Sequence, residues 1–203
     1  DKRYKVLFAK AFPSAKKDSL VTVHQVASAI SAFERTLSPM NSAFDRYIGG
    51  DRSALSQEQI RGFTIFNGKA QCGTCHFAPL FNGLLPPGYS ITELEVLGVT
   101  SNTDFDKPMY DLDSGRYRFF PIEYNTRAFK TPTVRNVAKT APYMHNGSFN
   151  TLEQVMDFYN KGGGAGVGLT IRHQTLSSKP LGLTQEEIRS VIAFMNSLTD
   201  NIR

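Results

Sequence analysis

The chain has 203 residues, with hydrophobic residues at 40%, charged residues at 20%, 16 Gly and 10 Pro. That is enough to bury one core without staples, and it excludes collagen, coiled coil and wholesale disorder. The net charge of +5 is uneven: residues 1–50 hold eight Lys/Arg against four Asp/Glu, and the remainder is close to balance. No basic run alternates with aromatics, so a nucleic-acid groove is not expected. The basic start reads as solvated surface, or as a surface that steers an acidic partner. No stretch approaches the roughly 18 apolar residues of a membrane span, and two cysteines exclude a multi-disulfide scaffold.

Helices are predicted from caps and period. Thr22 caps a segment that places Val26, Ile30, Phe33 and Leu37 on one face. Ser56-Gln-Glu-Gln59 is a capping box ahead of Ile60, Phe63 and Phe66. Thr151-Leu-Glu-Gln154 is another, leading through Met156 and Tyr159 to a stop at Gly162. Thr184-Gln-Glu-Glu187 opens a final helix over about 185–198. Residues 77–131 show no helical period, and irregular stretches that long are usually functional or wrapped around something. Short helices and long loops leave room for a large apolar group in the core. The patch Gly162–Gly168 follows a helix rather than a strand, so it reads as a flexible turn and not as a dinucleotide fingerprint. A domain boundary is placed near Gly49-Gly50, dividing residues 1–48 from 49–203. The chain begins Asp1-Lys-Arg-Tyr, which reads as a mature product or a piece of a longer one.

Both cysteines fall in Cys72-Gly-Thr-Cys75-His76, the C-x-x-C-H signature of covalent c-type haem attachment. One helical turn separates the sulfurs, which add to the haem vinyl groups, and the adjacent imidazole then meets the iron. Zinc would need a second ligand pair, and a thioredoxin-type pair would need a β-α-β context. A structural disulfide is the remaining alternative.

The run from Phe129 to Gly147 (Phe-Lys-Thr-Pro-Thr-Val-Arg-Asn-Val-Ala-Lys-Thr-Ala-Pro-Tyr-Met-His-Asn-Gly) resembles the C-terminal haem domain of bacterial di-haem cytochrome c peroxidases and MauG-like enzymes. So do Ala32–Leu37, Phe44–Tyr47, Gly62–His76 and Thr151–Asn160, with residues 77–125 matching least. The resemblance implies a mainly α, cytochrome c-like domain with long loops on one covalent haem c. It implies that residues 1–48 belong to, or contact, an N-terminal haem domain where peroxide reacts. With one C-x-x-C-H and no Trp, the expectation is a C-terminal piece of a longer protein, or a shortened relative, incomplete for peroxide reduction by itself.

His76 is the expected proximal ligand. Tyr159 stands where the family's peroxidases place a Met and its MauG-like branch a Tyr; phenolate suits oxidised iron and thioether the ferrous state. The alternatives are Met144 or Met156 as sixth ligand, an open or water-ligated iron, or a Tyr159 that only packs with its hydroxyl bonded. His145 either orders the distal side or hydrogen-bonds to backbone. Arg135 meets either a haem propionate or a carboxylate such as Glu153. Thr140 and Pro142 match the family's calcium positions through their carbonyls, whereas Asp104, Asp106, Asp111 and Asp113 read as solvated loop acids. His24 and His173 read as surface residues.

The functions implied are an electron-transfer haem domain of a di-haem peroxidase or MauG-like oxidase, or a mono-haem electron carrier without catalysis. A third is a scaffold that never receives haem and binds a partner. Expected partners are the N-terminal haem domain and a small electron-donor protein; the oligomeric state is open, a homodimer included. The expected location is a bacterial periplasm, since attachment needs an oxidising setting.

Overall fold

The computed structural model describes residues 1–13, 20–37 and 40–200. It divides into two compact units, Asp1–Met40 and Asn41–Asp200. The smaller holds α1 (Lys2–Ala11), capped by Asp1, and α2 (Val23–Thr36). Thr22 opens α2 with a full capping box: its Oγ1 accepts from the Gln25 N–H, and Gln25 Oε1 accepts from the Thr22 N–H at 2.8 Å. Val26, Ile30 and Phe33 line up along α2 as the period predicts, and all three are exposed.

The larger unit contains α3 (Ala43–Ile48), α4 (Gln57–Asn67), α5 (Leu152–Asn160), α6 (Gly163–Gly166) and α7 (Gln185–Ser197). Two three-residue strands complete it: β1 (Leu94–Val96) pairs antiparallel with β2 (Ala128–Lys130), Glu95 opposite Phe129. The boxes predicted at Ser56, Thr151 and Thr184 all form, each worth about 1 kcal/mol. Helix α5 ends at Asn160, two residues before the predicted Gly162 stop. The fold is mainly α, as expected.

The larger unit begins at Asn41, ahead of the junction expected near Gly49-Gly50, because α3 supplies its core. Phe44 is 5% exposed, and its ring meets those of Phe63, Phe81 and Phe194 at 5.2, 5.3 and 5.5 Å. Tilted and edge-on aromatic pairs at such spacings add to the apolar burial that drives folding. Helices α4 and α7 meet where α4 has no side chain: a Cβ on Gly62 would stand 1.8 Å from the Ser190 carbonyl oxygen. That contact lets Phe66 and Phe194 interdigitate at 5.1 Å.

The glycine patch is not the flexible turn expected of it. A Cβ on Gly164 would lie 2.2 Å from the Gly98 oxygen, and one on Gly166 would lie 1.9 Å from the Lys161 oxygen. Small residues are there because backbone packs on backbone. Gln174 fastens the turn, donating to the Gly162 and Leu176 carbonyls at 3.0 and 2.8 Å and accepting from the Ala165 N–H at 2.8 Å. The Leu97 carbonyl accepts from the Gly164 N–H at 2.9 Å, which fixes the segment after β1.

Gly62→Ala should lower stability by about 2 kcal/mol, because a rigid backbone oxygen must give way. Denaturant unfolding of the two chains measures it, and an unchanged midpoint would show that α4 and α7 separate at no cost.

Candidate functional site

A cavity of about 480 Å³ opens in the larger unit, ringed by α5, α7, β2 and the loop after α4. Its size lies within the about 300–1,000 Å³ of cofactor sites. Phe66, Val99, Leu152, Met156 and Met195 supply apolar wall, and Cys72, Cys75, His76 and Tyr159 all line it.

The motif folds as a tight turn over Cys72–Thr74, with the Cys75 and His76 N–H groups both donating to the Cys72 carbonyl, at 3.3 and 3.0 Å. Both thiols are free. Burial pushes Cys72 up to about 12 and, with the nearby Glu95 carboxylate, Cys75 up to about 11, so both are protonated at neutral pH. Burial also holds His76 below its usual value, against the pull of two carbonyls and Glu95. Its Nδ1 lies 3.2 Å from Phe81 O and 3.0 Å from Pro132 O. Carbonyls only accept, so Nδ1 carries the proton and Nε2 keeps its lone pair.

Tyr159 lies on α5. Burial first, then Cys72, Cys75 and Glu95, drive its phenol well above the ordinary range. Among the described residues nothing hydrogen-bonds its hydroxyl, so a buried tyrosine tied to a protein acceptor is not what the structure presents. Met144, at φ 67, and Met156 line the same cavity.

His145 hydrogen-bonds to a side chain rather than to backbone. Its ring stacks on Phe129 at 3.5 Å and 14°, and Nε2 lies 2.5 Å from Asp111 Oδ2. Asn146 donates to the same oxygen at 3.0 Å. Asp111 is therefore wall and not the solvated acid expected. Burial would raise its carboxyl, but bonds from the Asp113 N–H, His145 and Asn146 outweigh that and hold it low.

Arg135 goes neither to the cavity nor to Glu153. Its side chain is 4% exposed, and its guanidinium forks onto Asp45 at 3.0 and 2.8 Å. Burial would raise the Asp45 carboxyl, but hydrogen bonds from Arg135 and Ser42 hold it below the usual range. The cations that line the cavity are Arg127 and Lys130; neither is ion-paired with a carboxylate among the described residues. Thr131 lines it too, and its buried Oγ1 lacks a hydrogen-bond partner there. Sequence reading missed Glu95 and Arg127, whose only signal was a position in a segment without period, gave Asp111 to solvent, and assigned Thr131 no role although it lies in the Phe129–Gly147 run. Thr140 and Pro142 sit at the cavity wall. Among the described residues no cluster of three or more His, Cys, Asp or Glu could hold a metal, and no helix is long and apolar enough to cross a membrane.

These residues fit haem: two free thiols, an imidazole with one nitrogen reserved, an unbonded phenol and an apolar chamber. A mainly helical frame around that arrangement defines a cytochrome c-like haem domain. The sequence profile of the di-haem cytochrome c peroxidase family matches residues 1–53. Cytochrome-c peroxidase IdrP1 of Denitromonas iodatirespirans is 36% identical over 191 residues, 86% of this chain and 50% of that protein. Methylamine utilization protein MauG of Methylorubrum extorquens is 32% identical over 197 residues, 96% of this chain and 49% of that one. The solved structure of a MauG-like protein associated with microbial copper homeostasis superposes with a TM-score of 0.72 at 27% identity, covering 98% of this chain and 59% of that one. The chain belongs to the family of di-haem cytochrome c peroxidases and MauG-like proteins. It spans about half the length of the curated relatives it matches.

Asp45→Ala should cost about 3 kcal/mol at pH 7, because a buried guanidinium loses its carboxylate. The carboxyl's folded value is depressed, so its contribution is complete above the ordinary 3.8 and lost as pH falls through its own lower value. Unfolding at pH 7 and pH 3 measures this; an equal gap at both would contradict it.

Proposed function

We propose that this chain is the electron-transfer haem domain of a di-haem peroxidase or MauG-like oxidase, with hydrogen peroxide reduced at another haem of the complete protein. The observation that carries the reading is one cavity lined by both thiols, a neutral His76 and an unbonded Tyr159 hydroxyl. Bound there, haem supplies the one-electron couple of its iron. Cys72 and Cys75 would hold it by thioethers, and His76 Nε2 would take the iron.

In this reading Tyr159 would offer its phenol oxygen to the iron. Its phenol stays protonated in the protein alone, so ligation needs a cation strong enough to displace that proton, which ferric iron is. Arg127, Lys130 and the Thr131 hydroxyl would take over the role expected of Arg135, supplying donors to the carboxylates of the cofactor. The Asp111–His145–Phe129 stack stiffens the wall between them. Thr140 and Pro142 would offer carbonyl oxygens to a calcium ion completed by an N-terminal haem domain. A small electron-donor protein and a periplasmic location complete the proposal.

A mono-haem carrier with a Met ligand is the competing reading, favoured by Met144 and Met156 in the same wall. The optical spectrum of the chain with haem attached separates the two. Tyr159→Phe should change the ferric spectrum, and the wild type should lack a near-red thioether band and resist reduction. A thioether band with a silent Tyr159→Phe would establish the carrier instead. Cys72→Ser with Cys75→Ser should abolish covalent haem; a wild type without any haem signal would leave only the scaffold.

A further inference from the structure

The His76 imidazole is oriented by two carbonyls, and one of them is aimed by a strained loop. Phe81 presents its oxygen 3.2 Å from Nδ1 while its backbone sits at φ 50. A bulky residue holds that left-handed conformation only when its surroundings impose it. Here the constraints are visible. Arg135 Nε donates to Pro79 O at 2.9 Å, and the guanidinium lies over the Phe81 ring at 5.6 Å. Thr133 Oγ1 donates to Leu80 O at 2.6 Å, and the Val134 N–H donates to Phe81 O at 2.9 Å. The other edge of the guanidinium is locked by the Asp45 fork. Asp45 is in turn fixed by Ser42, whose N–H and Oγ meet Oδ2 at 2.9 and 2.7 Å. An unbroken chain of contacts thus runs from the start of α3, through Asp45 and Arg135, to the loop over residues 79–81 and on to His76.

We propose that Arg135 is a positioning residue for His76: by fastening the 79–81 loop it holds the Phe81 carbonyl on Nδ1–H, and so tunes the Nε2 lone pair. The effect on iron rests on His76 being the proximal ligand; the hydrogen bond at Nδ1 does not. A stronger acceptor at Nδ1–H makes Nε2 more basic, which favours ferric over ferrous iron. Lysine can still meet Asp45 with its ammonium, but it lacks the planar fork that reaches Asp45 and Pro79 together.

The test uses the full chain with haem attached, as wild type, Arg135→Lys, Thr133→Val and the surface control Arg61→Gln. Two readouts are taken: NMR exchange of the His76 Nδ1–H with solvent in the ferrous protein, and the midpoint potential. Arg135→Lys should speed the exchange at least tenfold. It should also raise the potential, a tenfold change in ferric-to-ferrous preference being 59 mV for one electron. Thr133→Val, which frees the same loop at Leu80, should move both readouts in the same direction, and it carries the test if Arg135→Lys does not fold. Arg61→Gln should move neither. Folded Arg135→Lys or Thr133→Val with wild-type exchange and potential would overturn the proposal, whatever stability is lost. Faster exchange together with an iron spectrum indifferent to His76→Ala would support the positioning and overturn the ligand reading instead.

Discussion

An imidazole can bind a metal through either nitrogen, and both cannot be offered once one is protonated and engaged. In His76 that choice is made by the Phe81 and Pro132 carbonyls, which hold the proton on Nδ1. The rest of the larger unit can be understood as support for those two oxygens. The segment carrying Pro132 is the continuation of β2, fixed by its pairing to β1. The segment carrying Phe81 is pressed into the aromatic cluster of Phe44, Phe66 and Phe194. The contact between α4 and α7 at Gly62 gives that cluster its spacing.

Around the imidazole, burial acts on Cys72, Cys75, Tyr159 and His76 in the same sense, favouring the neutral form. It raises the two thiols and the phenol and lowers the imidazole, so all four are neutral at pH 7. With these four groups neutral, the charge of an ion bound among them would dominate their ionisation. The charged groups stand at the wall, where Asp111 is satisfied by its neighbours and Arg127 and Lys130 have no carboxylate partner among the described residues.

What could be read from the sequence was what is local. Ser56, Thr151 and Thr184 announce helices because a cap and its partner lie three residues apart, and C-x-x-C-H announces its chemistry within five. The cap at Ser42 escaped because its partner is Asp45 rather than Glu or Gln, and with it went the membership of α3 in the core. Arg135 and Asp45 are 90 residues apart, and His145 and Asp111 are 34 apart across irregular chain. Loop-to-loop contacts of this kind leave no period. The glycine patch misled for a related reason: composition cannot tell a residue chosen for freedom from one chosen for lack of volume.

The apparatus behind His76 speaks mostly through main-chain oxygens: those of Pro79, Leu80, Phe81 and Pro132. The rings of Pro79 and Pro132 fix φ where they stand, but every amino acid carries that oxygen, so what natural selection can see at Leu80 is the path of the backbone and not the identity of the side chain. Drift there can leave the ligand's support intact, while Arg135 and Thr133, which read those oxygens with side-chain donors, have no such latitude. A search for the site by residue identity alone would therefore find its readers and overlook what they read.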